Sequence, residues 1–332
     1  MAGLGRKTFS PGDVLTSSDV QGYLMDQSVM VFAGTAARTS AIPSPSAGMV
    51  AYSTATSLQV YNGTAWVDAS TGYGSATGGT ALASPPSGYS GMSFTADGTL
   101  TVTRAGLFDV FMVGGGGGGG QNTELVAYVG GGGGGGIYTG TIYLAATTYS
   151  IDVGAGGAAK TDGLPTRLVA GDFTSLTATG GGKGAGNYAQ NQIGLYPGAG
   201  GSGGGGTGNS QAIVYVGATG MQGFNGGNGV TTNGQAGGGG GGGSANGSAG
   251  ATTVGGAGGA GLTSSFSGVS TTYAGGGGGG GASGGTGGTG GGGARTVAGT
   301  ANTGGGGGGN NATGSDNSAA GGSGIVIVRF KV

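Results

Sequence analysis

Residues 107–144 read LFDVFMVGGGGGGGQNTELVAYVGGGGGGGIYTGTIYL, and this stretch decides the fold. It holds two runs of seven glycines, 114–120 and 130–136, each next to an apolar segment typical of a β-strand. Runs of the same length recur at 237–243 and 275–281. A flexible linker works over a wide range of lengths. A repeated run length therefore indicates rods that cross one slab of constant thickness.

Glycine rods of this kind have one obvious conformation. Extended polyglycine forms a left-handed helix with three residues per turn, so seven residues at about 3.1 Å each span roughly 22 Å. The helix makes no internal hydrogen bonds, so each N–H and C=O must bind a neighbouring rod or water. Ordering glycine costs more entropy than ordering any other residue, and bonding between rods must offset that cost. We therefore predict a bundle of packed polyglycine II helices without room for a Cβ.

The glycine-rich segments predict ten rods that alternate between outward and inward, so that the tenth returns the chain to its starting end. The rods are centred on 114–120, 130–136, 180–186, 200–206, 223–229, 237–243, 255–261, 275–281, 290–293 and 304–309. This alternation makes outer loops of 121–129, 187–199, 230–236, 262–274 and 294–303. It makes inner turns of 207–222, 244–254, 282–289 and 310–320.

The remaining sequence predicts a mainly β protein in three parts. Residues 95–332 form a β-scaffold that carries the glycine-rich rods, and its final strand is IVIVRFKV at 325–332. Its other predicted strands are 99–103, 107–113, 137–144, 149–153, 164–170 and 173–179, with 137–144 and 149–153 as a hairpin. Residues 71–94 are a polar linker with Pro85 and Pro86.

Residues 1–70 predict a small α+β module. Helical spacing of apolar residues indicates a helix over 18–32. Short strands are expected at 49–52 and 58–61, and Asn62-Gly63 predicts a type I′ hairpin turn into 64–67. So few elements bury little apolar surface, which favours a module that docks or oligomerises. A small folded cap is the alternative.

The composition excludes several classes of protein. Glycine contributes 97 of 332 residues, but there are only 7 prolines and no G-X-Y period, which excludes a collagen triple helix. The net charge is −1 with 6 % charged residues and no basic stripe, so nucleic acid and anionic membranes are not expected partners. No apolar run approaches the roughly 20 residues that span a bilayer, so we expect no membrane insertion.

Catalytic chemistry has little support in the sequence. The chain has no histidine and no cysteine, which removes the usual general base and the usual zinc ligands. GGGKGAG at 180–186 lacks the Ser or Thr after lysine that a phosphate-binding loop needs. Asp152, Asp162 and Asp172 raise the idea of a glycosidase pair, but their strand-and-turn setting favours solvated scaffold residues. We predict a non-enzyme without cofactor or metal.

The predicted outer loops combine aromatic rings with amide and hydroxyl side chains. Loops on a rigid support are the usual place for recognition, and tyrosine with asparagine and serine is typical of binding surfaces. The alternative is that these aromatic residues shield the rod ends from water. The candidate receptor-binding residues are Tyr128, Tyr188, Asn191, Gln192, Tyr196, Phe266, Tyr273 and Arg295.

Two resemblances bear on function. RKTFSPGDVLTSSDVQGYLMDQSVMVFAGTAARTSAIPSPSAGMVAY at 6–52, followed by LQVYNGTAWV at 58–67, resembles the N-terminal segment of many bacteriophage tail-fibre and minor tail proteins. The glycine runs, TGTIYLAATTYSIDVGAGG at 139–157 and GGSGIVIVRFKV at 321–332 resemble the glycine-rich tip adhesins of phage fibres.

These resemblances imply a virion protein that acts outside the host cell. Its expected partners are a bacterial surface receptor, either a glycan or an envelope protein, and other tail or baseplate proteins. The resemblance and the thin core together imply a homotrimer through the N-terminal module. A purely structural decoration or spacer protein is the alternative, and a glycan hydrolase comes third.

Overall fold

The computed structural model describes residues 14, 16–17, 29–54, 58–68, 73–121, 127–170, 175–186, 196–209, 216–231, 235–310 and 318–332. The chain divides into two compact units, Met1–Tyr73 and Gly74–Val332. Within the described ranges, no helix is long and apolar enough to cross a membrane.

The described residues of the first unit include a four-stranded sheet and a short helix. Its elements are β1 (Met30–Phe32), α1 (Thr35–Ala41), β2 (Val50–Ser53), β3 (Leu58–Tyr61) and β4 (Trp66–Asp68). The strands lie in the order β1-β2-β3-β4, with β1 parallel to β2 and the other pairs antiparallel.

Two predictions for this unit need correction. The helix predicted over 18–32 falls outside the described residues at 18–28, and its described end is a strand, β1. Val31 and Phe32 are β-branched and aromatic, and pairing with β2 outweighs their helical spacing. The turn after β3 is longer than the predicted two residues: the Asn62 Oδ1 accepts the N–H groups of Thr64 and Ala65 at 2.9 and 2.8 Å, and this holds a four-residue connection.

The second unit begins with a β-sandwich. Its strands are β5 (Ser75–Thr77), β6 (Thr80–Ala81), β7 (Tyr89–Phe94), β8 (Gly98–Arg104), β9 (Gly106–Val113), β11 (Ile137–Leu144), β12 (Thr148–Asp152), β13 (Thr166–Val169), β14 (Ser175–Ala178) and β18 (Ile325–Lys331). Short pairs β10 (Ala127–Tyr128), β15 (Gly208–Asn209), β16 (Leu262–Ser264) and β17 (Thr271–Tyr273) lie outside it. One antiparallel sheet has the order β11-β9-β18-β7-β6 and the other β14-β13-β12-β8-β5.

The core of the sandwich lies between these two sheets. Alternate residues of each strand point inward, as the two-residue period of a strand requires. The fully buried side chains include Leu100, Phe108, Val110, Met112, Ile151, Leu168, Val326 and Val328. The predicted strands of the scaffold are confirmed to within two residues at each end. The segment predicted as a linker, 71–94, instead supplies β5, β6 and β7.

The predicted hairpin of 137–144 with 149–153 is wrong. β11 pairs with β9 in one sheet, whereas β12 pairs with β8 and β13 in the other. The residues between β11 and β12 carry the chain from one sheet to the other. Local alternation locates each strand, but it does not determine which sheet the strand joins.

The glycine runs form straight rods that continue the strands of the sandwich. Rod 114–120 leaves β9, and rod 130–136 enters β11. The N–H groups of Gly114, Gly117 and Gly120 donate to three carbonyls of rod 130–136 at 2.8–3.0 Å. Contacts to one neighbour thus recur every three residues, which is one turn of a polyglycine II helix.

The two central rods are each surrounded by six others. Rod 114–120 donates to rods 130–136, 161–164 and 318–324, and it accepts from 154–160, 180–186 and 304–310. Rod 130–136 donates to 180–186, 237–243 and 304–310, and it accepts from 114–120, 201–207 and 275–281. The rods therefore pack as a hexagonal lattice within one chain, which satisfies the backbone that the helix itself leaves unbonded.

The lattice contains more rods than the glycine runs indicate. The outward rods are 114–120, 154–160, 180–186, 201–207, 223–229, 247–250, 275–281, 292–295 and 304–310. The inward rods are 130–136, 161–164, 197–199, 216–219, 237–243, 255–261, 285–289, 297–300 and 318–324. The directions predicted for 200–206, 255–261, 275–281 and 304–309 are therefore wrong.

The missed rods lie at the periphery of the lattice. There a Cβ can point to solvent, as it does at Ser248, Ala249 and Ala320, all of which are exposed. These rods consequently mix glycine with small residues and do not appear as glycine runs. In the central rods a Cβ has no such space.

Candidate functional site

The lattice has one end on the sandwich and one end away from it. We call the latter the distal surface, formed by the described residues of the loops 121–129, 208–216, 230–236, 251–254, 281–284, 295–297 and 310–318, together with Tyr196. The loops 207–222 and 310–320 were predicted as inner turns, yet both begin at this end. Each loop follows an outward rod, 201–207 or 304–310, and an outward rod ends at the distal surface.

Tyr128 lies at the middle of the distal surface. It belongs to the loop that joins the two central rods, and it is half-buried. β10 pairs with β15, where Tyr128 lies opposite Gly208, so two distal loops are connected by main-chain pairing. The next residue, Val129, is fully buried, and its carbonyl accepts the N–H of Gly280 at 2.8 Å. The backbone at Tyr128 is therefore held by the lattice.

Two further candidates fall at or near this end. Tyr196 is 64 % exposed and starts the inward rod 197–199. Arg295 lies in a distal turn, where its Nη1 donates to the carbonyl oxygens of Gly281 and Ala282 at 2.8 and 3.1 Å. The guanidinium thereby binds the end of rod 275–281, a stabilising contact the sequence did not indicate. Tyr188, Asn191 and Gln192 lie outside the described residues.

The predicted outer position of 262–274 is wrong. This segment is the hairpin β16–β17, and it packs on the outer face of the sandwich. The ring centroids of Phe266 and Tyr273 lie 5.6 and 5.2 Å from that of Phe111 in β9. Because rod 255–261 runs inward, the loop that follows it emerges at the sandwich, and its aromatic residues bury apolar surface there.

Arg329 fastens this hairpin to the sheet. Its guanidinium lies 4.0 Å from the centroid of the Phe266 ring and 4.5 Å from that of Tyr89. Its Nη1 donates to the Phe266 carbonyl oxygen at 3.1 Å, and its Nε lies 3.2 Å from Asp109 Oδ2. A single arginine in the apolar strand IVIVRFKV was the available sequence signal for this contact.

We expect Tyr273 to make the stability of the fold depend on pH in alkaline solution. Burial raises the pKa of its phenol above the ordinary 10.0, and hydrogen bonds with Thr271 and Ser267 offset part of that rise. The folded protein keeps a proton that the unfolded chain releases, so this contribution is complete below about pH 10 and is lost as the pH rises through the folded pKa. In urea titrations we expect stability to fall less steeply above about pH 10 in Tyr273→Phe than in the native protein. Equal slopes would contradict this assignment.

The acidic residues considered for catalysis have structural partners. Asp162 Oδ1 accepts the N–H of Lys183 at 2.8 Å, and Asp152 Oδ1 accepts the hydroxyl of Ser150 at 3.1 Å. Asp172 lies outside the described residues. In the part of the chain that the structure describes, no three His, Cys, Asp or Glu side chains come together as metal ligands.

Comparisons with known proteins address the second unit. A search of curated proteins returned no match. A family model described as a glycine-rich domain matches residues 93–331, which take in all of the lattice and the sandwich strands from β8 onward. The match covers well over half of the chain, and the chain therefore belongs to the glycine-rich domain family.

Proposed function

We propose that this protein is a phage tail-fibre or tip adhesin that binds a bacterial surface receptor, a glycan or an envelope protein, through the distal surface. The observation that carries the proposal is the arrangement of the loops. Loops of unrelated sequence leave adjacent rods at one end, while the sandwich closes the other end. A rigid support with variable loops is the usual architecture of a recognition surface.

The lattice supports this role by holding the loops in place. The central rods bond to six neighbours at about 2.7–3.0 Å, so the base of each adjoining loop has little freedom. Pre-ordered loops lose less entropy on binding a receptor, which favours affinity. Tyr128 supplies a ring that can stack on a sugar or an apolar side chain, and its backbone is already paired.

The first unit fits an attachment role in this proposal. We infer that it joins the protein to other tail or baseplate proteins and forms the homotrimer implied by the resemblance. The protein would then be located on the virion and act outside the host cell. No catalytic step is part of the proposal.

The test measures binding of the purified protein to intact cells from a panel of bacteria. The variants are Tyr128→Ala and Tyr196→Ala on the distal surface, with Phe224→Ala at the sandwich end of the lattice as the control. Phe224 is an aromatic residue that is 42 % exposed, but it lies at the start of the outward rod 223–229. We expect strain-selective binding, weakened roughly 30-fold by Tyr128→Ala, as for a binding hot spot.

Three results would count against the proposal. Binding to no strain would favour the structural spacer, and release of reducing sugar from host envelopes would favour a hydrolase. An equal loss in Phe224→Ala and in the distal variants would place the receptor site outside the distal surface. Each variant is first checked for a native melting temperature.

A further inference from the structure

One edge of the β-sandwich is not paired with any described residue. Among the described residues, the edge strands β6, β14 and β5 have two, four and three residues, whereas the edge strand β11 has eight. β11 reads IYTGTIYL, with no charge and no proline, and its register with β9 is unbroken over eight pairs. Natural proteins shorten, charge or bulge such edges to prevent pairing with another strand. β11 has none of these features.

The register shows which backbone groups of β11 face outward. Gly114 N–H donates to Gly136 C=O at 3.0 Å, which places Gly114 and Gly136 at a hydrogen-bonded position of the β9–β11 ladder, although Gly136 N–H itself donates to Thr179 C=O. Hydrogen-bonded and non-hydrogen-bonded pairs alternate along an antiparallel ladder. Even-numbered residues of β11 therefore bond to β9, and Thr139, Thr141 and Tyr143 turn their N–H and C=O groups to the open edge. In the described part of the chain, no other backbone group bonds to these three.

We infer that β11 pairs with β11 of a second copy of this chain, antiparallel, with Gly140 on the twofold axis. This register sets Thr139 opposite Thr141, both of which have outward-facing backbone groups. It also sets Tyr138 opposite Ile142 and Ile137 opposite Tyr143. Threonine pairs and aromatic–β-branched pairs are among the favourable cross-strand combinations.

The sequence of β11 favours a second copy of the chain as the partner. An antiparallel strand pair with a twofold axis is a closed, self-complementary interface. No charge opposes a like charge across it, because β11 has none. The pairing would also cover Tyr143, which is 67 % exposed in the single chain. It would point the two lattices in opposite directions, so this pair forms between free chains and not between chains fixed on one virion.

The first test is the molar mass of the full chain by light scattering over a range of concentrations. Thr139→Pro removes an outward N–H that the single chain does not use, and edge strands tolerate such a proline. Thr139→Lys adds a charge to the edge, and Thr101→Lys is its control, since Thr101 is exposed on the interior strand β8. We expect the first two variants to have at most half the mass of the native protein and of Thr101→Lys. Equal masses would overturn the inference.

The second test determines which residues of the two paired β11 strands lie opposite each other. The chain contains no cysteine, so introduced thiols are the only ones present. Cα atoms of a hydrogen-bonded antiparallel pair lie about 5.5 Å apart, which suits a disulfide. A mixture of Thr139→Cys and Thr141→Cys chains should form a disulfide-linked dimer on oxidation, whereas either chain alone should not. Cross-linking of Thr141→Cys with itself, or no cross-linking at all, would overturn the proposed register.

Discussion

Replacing Gly133 by valine is expected to unfold the Gly74–Val332 unit. Gly133 lies in a central rod, and a Cβ at this position would lie 2.2 Å from the carbonyl oxygen of Ser202. That oxygen accepts the N–H of Gly182 at 2.9 Å, so rod 201–207 cannot move away without breaking a lattice bond. The other neighbours of rod 130–136 are held by lattice hydrogen bonds in the same manner. We expect a loss above about 4 kcal/mol in the free energy of unfolding.

Calorimetry of the matched pair Gly133→Val and Ala249→Val measures this effect. Ala249 lies in the peripheral rod 247–250, and its side chain is exposed. Valine there should change the free energy of unfolding by only about 0.5 kcal/mol, as for an ordinary surface substitution. If Gly133→Val melted at the temperature of the native protein, the central rods could not be a close-packed lattice.

The central rods and most strands could be predicted because their local sequence determines them. A run of seven glycines admits few ordered structures, and its length repeats because each rod crosses the same lattice. The strands of the sandwich alternate in hydrophobicity, so their positions followed from the two-residue period. β11 was predicted with its observed bounds on that basis.

The path of the chain could not be predicted in the same way. A peripheral rod such as 297–300 needs glycine only where its Cβ would face the lattice, so its sequence, VAGT, looks like a loop. Every such omission reverses the direction assigned to the next rod. Phe266 was consequently expected on the distal surface, whereas it packs against Phe111 and Arg329 on the sandwich.

The sequence predicted where the candidate site lies in the fold better than it predicted which residues belong to it. Recognition by loops between rods is a hypothesis drawn from the sequence, and Tyr128 is at the distal end because its loop joins two complete glycine runs. Arg295 and Phe266 were chosen by residue type within loops. Their contacts with carbonyl groups and rings across the fold have no signature in the neighbouring sequence.

Replacing Phe108 by alanine is expected to loosen the lattice as well as the sandwich. Phe108 is fully buried between the two sheets, and its ring packs edge-on against Phe330 with centroids 5.6 Å apart. Loss of a buried phenylalanine side chain costs about 3–5 kcal/mol. Rod 114–120 continues directly from β9, and rod 318–324 runs directly into β18. The rods keep their mutual register only while these strands keep theirs.

Hydrogen exchange of the glycine amides in rods 114–120 and 130–136 tests this coupling. If the sandwich and the lattice unfold as one unit, Phe108→Ala should speed their exchange by about 100-fold or more, since each 1.4 kcal/mol is a factor of ten. Leu107→Ala is the control, because Leu107 is 43 % exposed on the opposite face of β9. Unchanged exchange in Phe108→Ala, despite a destabilised sandwich, would mean that hydrogen bonds between rods hold the lattice without its strands. We expect faster exchange in Phe108→Ala because the central rods begin and end in the strands that Phe108 packs together.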